Sequence, residues 1–313
     1  MSYYDNSHLF LSGSRGEISM AMLDNTGEKI LKEHIVPYEE RLVAFLDLQG
    51  FRDDIIRNYP AEAIGSLFGE FDCLKRMLEK DADDLQVTII SDSIVVSVSL
   101  ERPENLLYFF DACSFFAKPR MGKLFVAIRG GIAYGKLHHK DNIVFGPALV
   151  DAYEISEGKH KSDFLRIRMA AETFGLIREL PQFGGFSMAV FFPESEEKEY
   201  YFFNPWLFHL AASSVWKDPL ESETSDEIIL RLKEYVVWCV MNMAKHRNSS
   251  NKIYSKYEDL LVQTICTFEM IKDVYYPNLT DAAQKIVNFY SDAENVIPFA
   301  RQLEKDLQNR DSF

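Results

Sequence analysis

The stretch Arg41-Leu-Val-Ala-Phe-Leu-Asp47-Leu-Gln-Gly-Phe51 decides the fold. Residues 42–46 are apolar without alternation, as a strand buried on both faces requires. An acid closes the strand, and Gln49-Gly50-Phe51 supplies a turn. A carboxylate at a strand end is by itself a common turn cap. Set just before a glycine turn that opens a helix, this one also stands beside free backbone N–H groups, which suit phosphate.

On the C-terminal side, Ile55, Ile56, Ile64, Leu67, Phe68, Phe71, Leu74 and Leu78 recur at threes and fours, predicting one or two amphipathic helices over 51–79. Gln86-Val-Thr-Ile-Ile-Ser-Asp92-Ser-Ile-Val-Val-Ser-Val-Ser is β-branched on both sides of a polar break. It reads as a hairpin with Ser91-Asp92-Ser93 at its tip. A helix over 103–117 leads to a strand at Phe125-Val-Ala-Ile-Arg129, followed by Gly130-Gly-Ile-Ala-Tyr134-Gly135 and Lys136. Phe145-Gly146-Pro147 opens another helix, with Pro at the tolerated first turn. The order βαββαβ-then-helix predicts an α+β protein with a ferredoxin-like core, in which Asp47 and Asp92 lie side by side on the central sheet.

Farther on, strands at 164–168, 186–192 and 200–203 and a helix over 170–180 are expected to extend that sheet. From about residue 225 the pattern turns to long amphipathic helices at 226–246, 251–274 and 279–308, separated by Asn248-Ser-Ser-Asn251 and Pro277-Asn278. On this reading residues 1–37 are an N-terminal arm, 38–210 the core domain and 211–313 a C-terminal helical region.

Hard cations such as Mg²⁺ and Mn²⁺ take oxygen ligands and share phosphate oxygens, so Asp47 and Asp92 are the most informative pair. Arg129, Lys136 and Arg166 are candidate phosphate contacts, with Arg129 first, although an Arg beside a sheet serves equally as an ion-pair partner. Phe51 and Tyr134 are candidates for stacking on a base, against the ordinary reading of sheet aromatics as core. His138 and His139, adjacent on a strand, point to opposite faces and read as hairpin surface rather than a shared metal site.

Phe45-x-Asp47-Leu-x-Gly50-Phe51 resembles the first metal motif of class III nucleotidyl cyclases, Ser91-Asp92-Ser93 their hairpin-tip acid, and Arg129-x-Gly131-Ile132-x-x-Gly135 their next strand. Ile90-Ser-Asp-Ser-Ile-Val-Val, Arg129-Gly-Gly-Ile-Ala-Tyr-Gly-Lys136 and Phe145-Gly-Pro-Ala-Leu149 resemble more closely the bacterial pyrimidine cyclases of the Pycsar antiphage systems. The resemblance spans residues 40 to 170 and implies a cyclase domain over 38–210. It implies that Asp47 and Asp92, with the Leu48 carbonyl, bind two Mn²⁺ or Mg²⁺ ions, and that Arg129 assists. Gly50 and Phe51 would hold phosphates through their N–H groups, with Tyr134 and Lys136 also contacting substrate. It further implies UTP, or next to it CTP, as substrate, a homodimer with shared active sites, and a separate effector switched on by the cyclic product. Purine class III cyclases carry an Asn and an Arg on the helix after the Gly-rich strand; here that stretch reads Leu149-Val-Asp-Ala-Tyr-Glu154. The competing readings are a non-catalytic nucleotide sensor and a cyclic-dinucleotide synthase. The turn Ser91-Asp92-Ser93 speaks against the second, which uses a Gly-Gly-Asp-Glu-Phe-like turn.

Composition is that of an ordinary folded protein rather than a fibrous or disordered one. Of 313 residues 47% are hydrophobic, enough for a sizeable core. A net charge of −14 without a basic stripe argues against a polynucleotide partner. The expected setting is cytoplasmic, without a membrane segment, because no basic-then-apolar leader and no long apolar run is present. The four cysteines, without a C-x-x-C pair, read as buried free thiols.

Overall fold

The computed structural model describes residues 37–51, 59–82, 84–102, 105–117, 127–158, 162, 165–180, 190–194, 196, 199–208, 210, 224–248, 251–274, 277 and 279–310. The expected arm over 1–37 therefore lies almost wholly outside the described residues, as do the start of the first helix and residues 186–189 of an expected strand.

Eight strands and eight principal helices are described: β1 (Glu39–Leu48), α1 (Ala61–Asp81), β2 (Gln86–Ile90), β3 (Ser93–Ser99), α2 (Asn105–Ala117), β4 (Ile128–Lys140), β5 (Ile143–Phe145), α3 (Pro147–Ser156), β6 (Ile167–Ala170), α4 (Ala171–Arg178), β7 (Phe191–Pro193), β8 (Tyr200–Phe203), α5 (Ser225–His246), α6 (Asn251–Val274), α7 (Asp281–Tyr290) and α8 (Ala293–Arg310). The sheet runs β2-β3-β1-β4-β6-β8-β7. Its first part is antiparallel throughout, with β1 between β3 and β4. That is the strand order of a ferredoxin-like core, so the protein is α+β as expected. Parallel β6, then antiparallel β8 and β7, extend the same sheet.

The sheet has two unlike faces. Leu42, Ala44, Leu46 and Leu48 alternate onto one, where they join Phe109, Phe110, Phe115 and Phe116 of α2 and Leu67, Phe71 and Leu78 of α1. Helix α2 is apolar almost all round, which suits its burial. Val43, Phe45 and Asp47 alternate onto the other face, where a small core of Val43, Val95, Ala133, Leu137, Ala148 and Ala152 forms under α3. Gly131 makes that packing possible, since a Cβ there would stand 2.0 Å from the Ala152 carbonyl oxygen.

Four expectations are corrected. His139 is buried rather than on the surface, its ring nitrogens meeting Thr88 Oγ1 at 2.9 Å and Ser97 Oγ at 2.8 Å. Local alternation gives the face of a strand but not what covers it. The expected last helix is broken at Ser291-Asp292, where the Asp292 side chain accepts from the Glu294 and Asn295 nitrogens and restarts the chain as α8. The strand expected at 164–168 begins at Ile167 and runs to Ala170. Cys113 and Cys239 are buried, but Cys73 and Cys266 are exposed.

The C-terminal helices do not build a separate core. Val236 of α5, Phe268 of α6 and Val287 of α7 belong to the same apolar cluster as Leu46 and Phe110. No described helix is long and apolar enough to cross a membrane.

Candidate active site

The site lies at one end of the sparsely covered face. Residue Asp47 is the last of β1 on that face, and in register it stands between Ser93 of β3 and Arg129 of β4. The hairpin between β2 and β3 turns at Ser91-Asp92, with Ser91 at a positive φ of 55°. Leu48 N–H donates to the Asp92 carbonyl at 2.9 Å, stitching the hairpin tip to the end of β1. Gln49 N–H donates to the Ala127 carbonyl at 2.8 Å, and Gly50 turns the chain at φ 74°. The two acids, far apart in sequence, thus meet because three antiparallel strands end together.

The electrostatics of the pair are mixed. Burial pushes the Asp47 carboxyl above its ordinary range, opposed first by Arg129. The neighbouring Asp92 raises it further, while the Gln49 amide, which donates to Asp47 Oδ2, and Lys256 lower it. Arg129 Nη2 stands 4.0 Å from Asp47 Oδ2, yet its closer ion pair is with Glu157, at the C-terminal end of α3. Close packing of α3 on Gly131 is what brings Glu157 there. Arg129 is nearly buried, so these paired charges act through a poorly screened environment.

Among the described residues no group of three or more His, Cys, Asp and Glu is placed to hold a metal ion. Two repelling carboxylates with only oxygen donors instead fit a hard divalent cation that completes its shell with phosphate and water. Asp47 and Asp92 would hold it, with the Leu48 carbonyl in the same turn.

The other expected residues are placed as follows. Phe51 is buried against Phe68, ring centroids 5.6 Å apart and edge to face, so its side chain is core. Tyr134 lies on the opposite face of β4 from Arg129, packed against the main cluster. Lys136 is exposed and pairs in register with Glu40, seven residues up β4 from Arg129, a span of about 23 Å. Arg166 is committed elsewhere, bonding Asp259 at 2.8 Å and stacking over Phe202. Asp47, Asp92 and Arg129 are thus neighbours, while one chain does not bring Tyr134 or Lys136 to them. Sequence reading missed Glu157 and Lys256, whose approach depends on helix packing; Gln49, two residues beyond Asp47, was within reach of it.

No protein-family profile and no curated protein matches the chain. Solved structures similar to it are nucleotide cyclase domains. The guanylyl cyclase domain of the RhoGC fusion protein from the aquatic fungus Blastocladiella emersonii is 16% identical, with 53% of this chain and 95% of that one covered and a TM-score of 0.40. The guanylate cyclase domain of RhGC from Catenaria anguillulae, solved in complex with GTP, gives 16%, 53%, 97% and 0.39. An adenylyl cyclase of P. aeruginosa gives 15%, 53%, 94% and 0.36.

Proposed function

We propose that residues 38–210 form a metal-dependent nucleotidyl cyclase domain, with 1–37 an arm and 211–313 a helical region. The observation that supports it best is the juxtaposition of Asp47, Asp92 and Arg129 at the open end of a ferredoxin-like sheet. Divalent cations, Mn²⁺ or Mg²⁺ and two per site, would polarise the 3′-hydroxyl and neutralise the triphosphate when bound. The chain's own work is positioning. Asp47 and Asp92 fix the site of positive charge, Arg129 faces the developing negative charge, and the N–H groups of Gly50 and Phe51 receive phosphate oxygens. The 3′-oxygen bonds to the α-phosphorus, the bond from that phosphorus to the oxygen bridging to the β-phosphate breaks, and the hydroxyl proton passes to water. The products are a 3′,5′-cyclic monophosphate and diphosphate.

The substrate we infer is UTP, with CTP next, from the likeness of Arg129-Gly-Gly-Ile-Ala-Tyr-Gly-Lys136 and its flanking motifs to pyrimidine cyclases. The cyclic product would then activate a separate antiphage effector. The roles proposed for Tyr134 and Lys136 call for a second chain, as in a homodimer with shared sites. Exposed Val150 and Tyr153 on α3, beside the site, favour such a cover. A nucleotide sensor is the second reading, favoured by the stretch Leu149-Val-Asp-Ala-Tyr-Glu154, which lacks the Asn and Arg that purine cyclases carry there.

The test incubates the protein with each of the four nucleoside triphosphates and Mn²⁺ and identifies products by mass spectrometry. A cyclic pyrimidine monophosphate, lost by about 100-fold or more in Asp92→Ala, is the expected result. Binding without turnover would favour the sensor, and a cyclic dinucleotide would sink the proposal.

A further inference from the structure

The two oxygens of the Asp47 carboxylate are held differently. Gln49 Nε2 donates directly to Oδ2. Arg129 Nη2 stands 4.0 Å from the same oxygen, beyond hydrogen-bond reach, and makes its close contact with Glu157 instead. Among the described residues no donor reaches Oδ1, and the Asp47 side chain is only partly buried.

The Gln49 contact follows from the way β1 ends. Gln49 lies just past the last residue of β1, but its main chain is still tied to the sheet, since its N–H donates to the Ala127 carbonyl at 2.8 Å. Side chains two positions apart on such a chain leave on the same face, which sets the amide beside the carboxylate. Gly50, at φ 74°, then turns the chain away. An amide suits this place better than a charged donor. Lys or Arg at position 49 would pair with Asp47 and compete with a cation for it, whereas an amide donates an N–H and leaves the carboxylate its full negative charge.

We propose that Gln49 is the positioning residue of the metal site: by holding Oδ2 it makes Asp47 a ligand through Oδ1 alone, and so favours a small octahedral ion over Ca²⁺. The inference rests on the reading of Asp47 and Asp92 as cation ligands and deepens it. Mg²⁺ demands a near-octahedral shell at short range, whereas Ca²⁺ accepts both oxygens of one carboxylate in a wider and looser shell. Removing the amide frees Oδ2, so Asp47 loses its fixed orientation for the smaller ion and gains the grip that suits the larger one.

The test measures cation binding by the full chain without nucleotide. Mn²⁺ is titrated with the free ion read by electron paramagnetic resonance, and Mg²⁺ and Ca²⁺ are scored by displacing it. Wild type is compared with Gln49→Met, which keeps the length and removes the donor, with Gln49→Ala and with Asp92→Ala. Both Gln49 variants are expected to bind Mn²⁺ and Mg²⁺ about tenfold more weakly and Ca²⁺ within about twofold of wild type, at an unmoved melting temperature. Mg²⁺ and Ca²⁺ weakened alike would make Gln49 a structural residue and overturn the inference. Unchanged affinities in the Gln49 variants, with binding lost in Asp92→Ala, would overturn it and leave the metal site intact. No Mn²⁺ bound by wild type would overturn both.

Discussion

The two faces of the central sheet use the same strands for opposite purposes. Toward α1 and α2, β1 presents Leu42, Ala44, Leu46 and Leu48 to a large core dense in phenylalanine. Toward α3 it presents Arg41, Val43, Phe45 and Asp47, and only a few small apolar side chains fill the middle. The polar groups at either end of that face are paired rather than left bare. Arg41 bonds Ser97 at 3.0 Å and Asp84 at 3.0 Å, and Arg129 meets Glu157 and Asp47. One face carries most of the buried apolar surface, which leaves the other free to hold charge at the cost of weaker packing.

The contrast is open to direct challenge. On the large face, Phe109→Ala removes a fully buried ring and is expected to cost about 3–5 kcal/mol in chemical denaturation. A loss no larger than that of a surface change would mean that this face is not the stabilising one.

On the small face, Gly131→Ala tests whether α3 is held by contact so close that no methyl group fits. The added carbon would meet the Ala152 carbonyl oxygen at 2.0 Å and Ile155 Cβ at 2.9 Å, so α3 must shift. A loss of roughly 1–3 kcal/mol is expected, with Glu157 drawn away from Arg129. Wild-type stability in this variant would contradict the packing.

The smallest effect sharpens the comparison through pH. Burial, followed by Arg41, Lys75 and His138, pushes His139 down to about 3. Its neutral ring joins Thr88 to Ser97, whose hydroxyl oxygen also accepts from Arg41 Nε. Below about pH 6.5 the unfolded chain protonates this ring while the folded chain does not, so stability falls as pH falls. The contribution is up to about 1.4 kcal/mol per pH unit, and between pH 6.5 and 5 it stands clear of most carboxylates. His139→Gln should flatten that slope in urea titrations at stepped pH; an unchanged slope would place the ring in contact with water.

Much of this was readable before any coordinates. Unbroken apolar runs marked β1 as doubly buried, Ser91-Asp92-Ser93 marked the hairpin tip, and the order of elements placed Asp47 beside Asp92. His139 was misplaced because alternation reports which way a side chain points and says nothing of what packs there. The last helix was drawn too long because the apolar period runs on across Ser291-Asp292, while the break comes from a side-chain cap.

By itself the sequence determined the fold class, most of the local elements and the positions of Asp47 and Asp92 at the ends of neighbouring strands, because helix and strand periods and turn residues act over a few positions. Tertiary structure alone decided that Glu157 holds Arg129, that Tyr134 turns to the opposite face of β4 from Arg129, and that Asp259 of α6 bonds Arg166. Those contacts depend on how closely a helix can approach a sheet, which Gly131 permits for α3 and the Arg166–Asp259 bond orients for α6. No period in the sequence records that distance.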